Sequence, residues 1–443
     1  MTTLKPHLPF RNAGGNHGAD GTGDTGNTAA RGTPPLVGVA WALLIVNTLG
    51  SQGPETLVAI PRPIAQAVTM GSLLIAFTLA LLLNPRLRVR PSAFLLLLTL
   101  LLVLSIIASA RIDSGFGALM RCARLAVFLA TLWLLSYWWQ GTVAFVRYHI
   151  RTFAVVLAVV ATGLVVAPGL ALPADYGGRL VGALWPMPPP QIGQYAAIVA
   201  GLTLLLWLGR RTTVSSVLVF AVPAIGLLLL THTRTATFAL LAGLALAALS
   251  LVLTTSRARK AALGTGIGGA IAALAFWPVI QAWIRRGQDA ENFTSLTGRE
   301  KVWDALLADN RTTTEQFFGV GLTDKSFNGL PIDNGWLAVY HEQGLVGLAL
   351  VFAFLATLAA VAVLRPPSIE RACAIFLITY CLVASYAEVG LGDASPYLLH
   401  LAVAAALLIP GRNGTTQHGA APVTPRTTPR TSQYNAALPD NRS

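Results

Sequence analysis

The amino-acid sequence predicts an all-α, polytopic membrane protein with about 12 transmembrane helices and one large extracytoplasmic loop containing short helices. Three observations carry that expectation. Of the 443 residues, 54% are hydrophobic and only 11% are charged, whereas ordinary globular domains carry about a quarter charged residues. Mean hydropathy is +0.63. Apolar runs long enough to cross a hydrocarbon core about 30 Å thick recur along the chain, near 36–50, 66–84, 93–110, 118–138, 152–171, 192–209, 214–230, 235–255, 261–283, 335–364, 370–387 and 395–410.

The rest of the chain divides around these runs. Residues 1–33 are rich in Gly, Asn and Thr, and residues 411–443 in Thr, Pro and Arg. Neither end has enough apolar surface to pack, so both are expected to be disordered cytoplasmic tails. Residues 34–283 would hold spans one to nine, 284–334 the extracytoplasmic loop and 335–410 spans ten to twelve. No secretory signal is expected, because the first apolar run comes late and no small-residue cleavage site follows it. Cys122, Cys373 and Cys381 fall inside apolar runs without metal-ligand spacing, which supports neither a disulfide framework nor a zinc site.

Loop charge predicts the orientation. With the N-terminus inside, the loops after even-numbered spans hold Arg86, Arg88, Arg90, Arg147, Arg151, Arg210, Arg211, Arg257, Arg259, Lys260, Arg365 and Arg371 against the single acid Glu370. The opposite loops are close to neutral, and 284–334 and 386–394 are net acidic. A Lys/Arg excess on short loops marks the cytoplasmic side, so both termini are expected there. The pI of about 10.3 is then a topology and anionic-lipid signal, with no interleaved aromatic pattern that would suit nucleic acid. A polar loop of about fifty residues is usually a lid or a binding loop, so chemistry is expected on the outer face.

Outer-side polar groups are the candidates. In "LPIDNGWLAVYHEQGLVGLALVF" Asp333 reads as a helix N-cap, with Ile332 and Leu337 as a hydrophobic staple. Asn334, His341 and Glu342 continue polar groups for two turns into a span where each costs energy unless it faces protein or water. Asp333, Trp336 and Tyr340 share a face, and Gly344 with Gly347 would let a neighbouring helix approach. In "TSLTGREKVW" Arg299 and Trp303 stand one turn apart on a predicted helix behind Thr297 and Gly298 as cap residues; the simpler reading is a capped surface helix. In "LTHTRTATF" Arg234, with His232 beside it, sits in a short outer connection, where a guanidinium either snorkels to lipid phosphates or holds an anionic ligand. Arg121 and Arg124 share a face in the outer half of the fourth span, and Arg179 lies in the Pro-rich "DYGGRLVGALWPMPPPQIGQ". Arginine binds phosphate oxygens bidentately and stays charged when partly buried, so five outer arginines point to a phosphate or diphosphate ligand. No nucleotide fingerprint, zinc motif or paired-acid metal motif occurs, so no cofactor and no metal are expected.

The segments "HTRTATFALLAG", "GREKVWDALL…FFGVGL" and "IDNGWLAVYHEQGLVGL", preceded by "GGRLVGALWPMPPPQIGQYAA", resemble the O-antigen ligase and O-antigen polymerase superfamily of bacterial membrane glycosyltransferases over about residues 36–410. The resemblance implies a metal-independent, inverting transfer of a glycan from a polyprenyl-diphosphate carrier to an acceptor hydroxyl, outside the cytoplasmic membrane. The acceptor would be a glycan, a lipid or another hydroxyl compound. By position, Arg234 and Arg179 match the family's diphosphate-holding arginines, and Arg299 matches its loop-helix arginine. Asp333–Asn334 stands where ligases usually show His-Asn, so Asp replaces an imidazole. Asp333 is then the first candidate base, His341 the second and His232 the third. Arg121 and Arg124 would add to the diphosphate site, with Asn334, Trp303, Tyr340 and His232 supporting acceptor or loop. The competing expectation is a secondary transporter or flippase for a lipid-linked or anionic substrate, although no repeated halves are visible.

Overall fold

A computed structural model describes residues 33–50, 53–110, 116–252, 256–285 and 299–410. The expected tails and the proposed caps Thr297 and Gly298 lie outside the described residues, as do residues 286–298 near the start of the expected loop.

Among the described residues the chain is all-α apart from one hairpin of two-residue strands. The helices are α1 (Pro35–Asn47), α2 (Arg62–Leu83), α3 (Ala93–Ala110), α4 (Phe116–Leu135), α5 (Ala144–Val166), α6 (Pro189–Leu208), α7 (Val214–Thr231) and α8 (Arg234–Val252). They continue with α9 (Ser256–Ala275), α10 (Trp277–Arg285), α11 (Arg299–Leu307), α12 (Thr313–Phe318), α13 (Gly335–Leu364), α14 (Ile369–Ala384) and α15 (Pro396–Leu407). Among the described residues, eight helices are long and apolar enough to cross a membrane: α2 to α8 and α13. The expected count of twelve is not reached by that measure. The remaining runs form shorter or interrupted helices: α1 has 13 residues, α14 has 16 and α15 has 12, while the ninth run is divided between α9 and α10.

Packing places α6 at the centre. It touches α5, α7, α8 and α14, and most of its residues are buried, as expected for a helix surrounded by protein rather than lipid. By contrast α2 and α7 leave much of their apolar surface exposed, which is the pattern of a lipid-facing helix. Within α7, residues Val217–Ala221 form a π-helical stretch just before Pro223. Proline has no N–H to complete the regular ladder, and a π-bulge is one way of absorbing the gap.

The polar opening of the tenth run turns out to be a separate helical piece. Gly344 has φ 67 and ψ −166, so α13 is broken there into residues 335–343 and a longer apolar segment. A Cβ at Gly344 would stand 2.4 Å from the Phe317 backbone, so only glycine fits. The break removes the N–H partners four residues ahead of the His341 and Glu342 carbonyls. Val320 N–H and Gly321 N–H replace them, at 3.0 and 2.9 Å. Segment 317–325 thus fills the notch that the glycine opens. Ahead of α13, β1 (Ser326–Phe327) and β2 (Leu330–Pro331) pair antiparallel around Asn328–Gly329. Both turn residues have positive φ, as a two-residue Asn-Gly hairpin loop requires.

Candidate functional site

Asn334, rather than Asp333, caps α13. Its side-chain oxygen accepts from Trp336 N–H and Leu337 N–H, both at 3.0 Å. Asp333 stands one residue outside the cap in the left-handed region, at φ 44. Its carboxylate is therefore directed away from the helix and toward α11, where Arg299 Nε lies 3.3 Å from Asp333 Oδ2. The expected staple shifts as well: Ile332 is fully buried against Leu306 of α11 and Ala338 of α13, with Leu337 only partly buried beside them.

Two side chains of α11 hold this corner together. Trp303 Nε1–H donates to the Ile332 carbonyl at 2.7 Å and packs edge-on against Tyr386. Arg299 Nη1 donates to the Ala387 carbonyl at 3.1 Å. The 385–388 segment is in turn pressed on the start of α13, because Gly335 N–H donates to Ser385 O at 2.7 Å. A Cβ at Gly335 would meet Glu388 O at 2.9 Å, so glycine permits this approach. Glu388 is the consequence: a partly buried carboxyl whose electrostatic neighbours are Arg299, Asp333 and Arg179. Burial pushes it up to about 7; Asp333 adds to the rise, and Arg299 and Arg179 oppose it.

The third wall comes from the long connection before α6. Arg179 Nε donates to Thr231 O at 2.9 Å, and Nη2 reaches Thr233 Oγ1 at 3.4 Å. Those residues form the turn between α7 and α8, and Arg234 is the first residue of α8. Burial depresses Arg179 below its ordinary value; Glu388 opposes this, while Arg299 and Arg234 add to it. Guanidinium nonetheless remains protonated. Arg179 thus feels Glu388, Arg299 and Arg234, and Glu388 feels Arg299 and Asp333, at one end of the bundle, although Arg179 and Glu388 are separated by more than two hundred residues of chain. With both acids ionised the five carry +1, and with Glu388 neutral +2. Such a site accepts an anion and offers a carboxylate beside it.

The other expected residues lie elsewhere. Arg121 donates to the Thr323 carbonyl, and Arg124 Nη2 donates to Asn47 O at 2.7 Å. They belong to a second polar cluster, in which Lys325 pairs with Asp393 at 3.3 Å and Glu342 Oε1 accepts from Thr323 N–H at 2.9 Å. Burial alone would raise Asp393, but Lys325, Arg124 and the Ala394 N–H bring it below its usual value. His341 faces away from Asp333: its Nδ1 lies 2.7 Å from Arg311 Nη2 and so accepts that proton. The Arg311 guanidinium also covers the Tyr340 ring, 5.1 Å from its centroid. His232 adopts the left-handed conformation at the end of α7 and stacks on Trp283.

Sequence reasoning did not single out Glu388, Arg311 or the Lys325–Asp393 pair. Glu388 and Asp393 left only a trace, as the two acids of the net-acidic 386–394 connection. Among the described residues, no group of three or more His, Cys, Asp or Glu is arranged to hold a metal ion. No family model matches the chain, and no curated protein matches it.

Proposed function

We propose that the chain is an integral-membrane, inverting, metal-independent glycosyltransferase that moves a glycan from a polyprenyl-diphosphate carrier to an acceptor hydroxyl, like O-antigen polymerases and ligases. The observation that supports this reading is the meeting of Arg179, Arg234 and Arg299 with Asp333 and Glu388. Net-basic short loops at the other end of the bundle support a multi-pass protein of a bacterial cytoplasmic membrane, with cytoplasmic termini and an outward site.

The chemistry follows from the charges. The acceptor oxygen attacks the anomeric carbon as the carbon–oxygen bond to the diphosphate breaks, and configuration inverts. The acceptor proton passes to a carboxylate, and the diphosphate leaves with the bonding electron pair. Asp333 is positioned to take the proton, since Asn334 performs the capping that would otherwise occupy it. Guanidinium groups favour the charge that develops on the departing oxygen, which is the largest single contribution in many enzymes. A base near neutral pKa suits proton transfer, so Glu388 is the second carboxylate of the site. In this reading Arg121 and Arg124 contact a part of donor or acceptor away from the diphosphate, and His341 and His232 support the loops.

The test is glycan transfer by purified protein in liposomes carrying a lipid-linked donor. Arg234→Ala is expected to lower turnover by about two to three orders of magnitude, the size of losing one transition-state donor, without loss of folded protein. Asp333→Asn should slow transfer while α13 keeps its cap. Wild-type turnover in Arg234→Ala would end the assignment.

One observation favours a transporter instead. Trp41, His149, His400 and Gln194 form a buried hydrogen-bonded chain with steps of 3.1, 2.7 and 3.1 Å, and intramembrane histidines are common in proton-coupled carriers. Uptake of an anionic substrate driven by a proton gradient, in vesicles free of lipid-linked donor, would establish that reading.

A further inference from the structure

We propose that the end of the bundle opposite the arginine cluster carries a phosphate-binding site that takes the headgroup of an anionic membrane lipid. A recess of about 120 Å³ opens there between α5, α6 and α7. Its polar wall is made by Arg147 and Arg151, one helical turn apart on α5, with Thr203 of α6 and Thr212 and Ser216 at the start of α7. Ile150, Leu206 and Phe220 supply its apolar wall.

Thr203 shows that the recess is built for a polar occupant. Elsewhere Thr99, Thr131, Thr152 and Thr357 each donate the hydroxyl to the carbonyl four residues back along their own helix. Thr203 does not: its Oγ1 is buried without a hydrogen-bond partner among the described residues, and the residue is 2% exposed. A buried hydroxyl with no partner is destabilising, and a phosphate oxygen in the recess would remove that cost. The cationic side is open as well. Arg147 makes one long contact, Nη2 to Arg211 O at 3.4 Å, while the nearby acid Glu370 pairs with Arg211. Among the described residues no carboxylate lines the recess. The π-helical stretch Val217–Ala221 carries Phe220, so the distortion before Pro223 shapes one wall.

Depth identifies the source of the phosphate. At the arginine end, a Cβ on Gly193 would touch Thr231 and Thr233. Thr203 and Leu206 lie ten and thirteen residues further along α6, or roughly 15 and 20 Å at 1.5 Å per residue. Arg147 reaches the Arg211 carbonyl beyond them, which puts the recess near the opposite boundary of a hydrocarbon core about 30 Å thick. Charge at the boundary with an apolar wall beside it is the profile of a phospholipid headgroup and its first acyl carbons. Soluble phosphate shares the charge without the tail.

Full-length protein is purified in detergent and mixed with phosphatidylglycerol or phosphatidylcholine, and bound lipid is counted by native mass spectrometry, with and without millimolar inorganic phosphate. Wild type should hold phosphatidylglycerol in preference. The double variant Arg147→Gln/Arg151→Gln should lose about tenfold or more of that preference. Thr203→Val, which keeps shape and charge, should lose about threefold or more. Binding of inorganic phosphate without any lipid preference, again lost in the double variant, keeps the phosphate site and assigns it to a soluble ligand. An unchanged lipid preference in the double variant, with its melting profile intact, overturns the proposal. So does a Thr203→Val protein identical to wild type in both arms, because surface arginines alone would then explain the binding.

Discussion

Replacing Glu388 with Gln removes one titratable charge from the arginine cluster at nearly constant volume. Burial raises this carboxyl from an ordinary 4.5 to about 7, so the folded protein holds its proton over a range where the unfolded chain has lost it. The sign follows: the stability associated with that proton is complete below about 4.5 and disappears as pH climbs through about 7. At about 1.4 kcal/mol per unit the full effect is about 3 kcal/mol. Partial exposure lets solvent screen the charge, and about 1–2 kcal/mol is expected in practice. Glu388→Gln should therefore match wild type near about pH 4.5 and exceed it in stability by that amount near about pH 8.5.

In the proposed site the same charge opposes anion binding. Ionised Glu388 would repel a diphosphate held by Arg179, Arg234 and Arg299, so wild-type affinity for inorganic pyrophosphate should weaken as pH rises through about 7. A loss of about 1–2 kcal/mol corresponds to roughly five- to thirtyfold in Kd. Pyrophosphate has titrations of its own, but they are common to both proteins. Isothermal titration of full-length wild type and Glu388→Gln in nanodiscs, across that pH range, isolates the glutamate. Parallel pH curves for the two proteins, in both stability and Kd, would refute the coupling of Glu388 to the arginines.

Three other changes probe the frame of the site. Asn334→Ala removes the cap of α13 and should cost about 1 kcal/mol, with Asn334→Asp close to wild type, as read by thermal unfolding in detergent. Gly344→Ala forces a Cβ toward the Phe317 backbone at 2.4 Å and a residue with a side chain into positive φ; a loss of about 2 kcal/mol or more and increased proteolysis of segment 317–325 are expected. Gln194→Leu leaves a buried imidazole nitrogen of His400 without its partner at 3.1 Å. That should lower stability by about 1–3 kcal/mol in chemical denaturation, and a wild-type midpoint would show that the contact contributes nothing.

Hydropathy located the helices because burial from water leaves a local signature, and each expected run coincides with helical residues. It did not separate helices long enough to cross alone from shorter ones such as α14 and α15, which lie largely inside the protein. The α11 helix was equally legible, since Arg299–Leu307 carries its own pattern. Partner choice was not. Arg121 and Arg124 share one face, as their spacing requires, but spacing does not say that this face meets Thr323 and Asn47 rather than the turn before Arg234. His149 and His400 touch across 251 residues of chain, a distance over which local pattern carries no information. Glu388 acquires its character only after Gly335 has brought the 385–388 segment against α13.

The adjacent residues Asp333 and Asn334 show why a single position can decide a mechanism. Either side chain caps a helix well, so the sequence alone assigned the cap to the first of them. The chain conformation decides otherwise, because Asp333 is held at positive φ by the hairpin behind it and by Arg299 beside it. In the proposed mechanism capping and proton transfer thereby fall on two residues. Had Asp333 been the cap, its oxygens would have accepted from α13 and been less available as a base. Free of that duty, in the proposed mechanism it gives up its pairing with Arg299 when a diphosphate engages the guanidinium and becomes available to the acceptor proton. Loss of transfer in Asp333→Asn with an intact cap, set against loss of stability in Asn334→Ala, is the pattern that this division of roles requires.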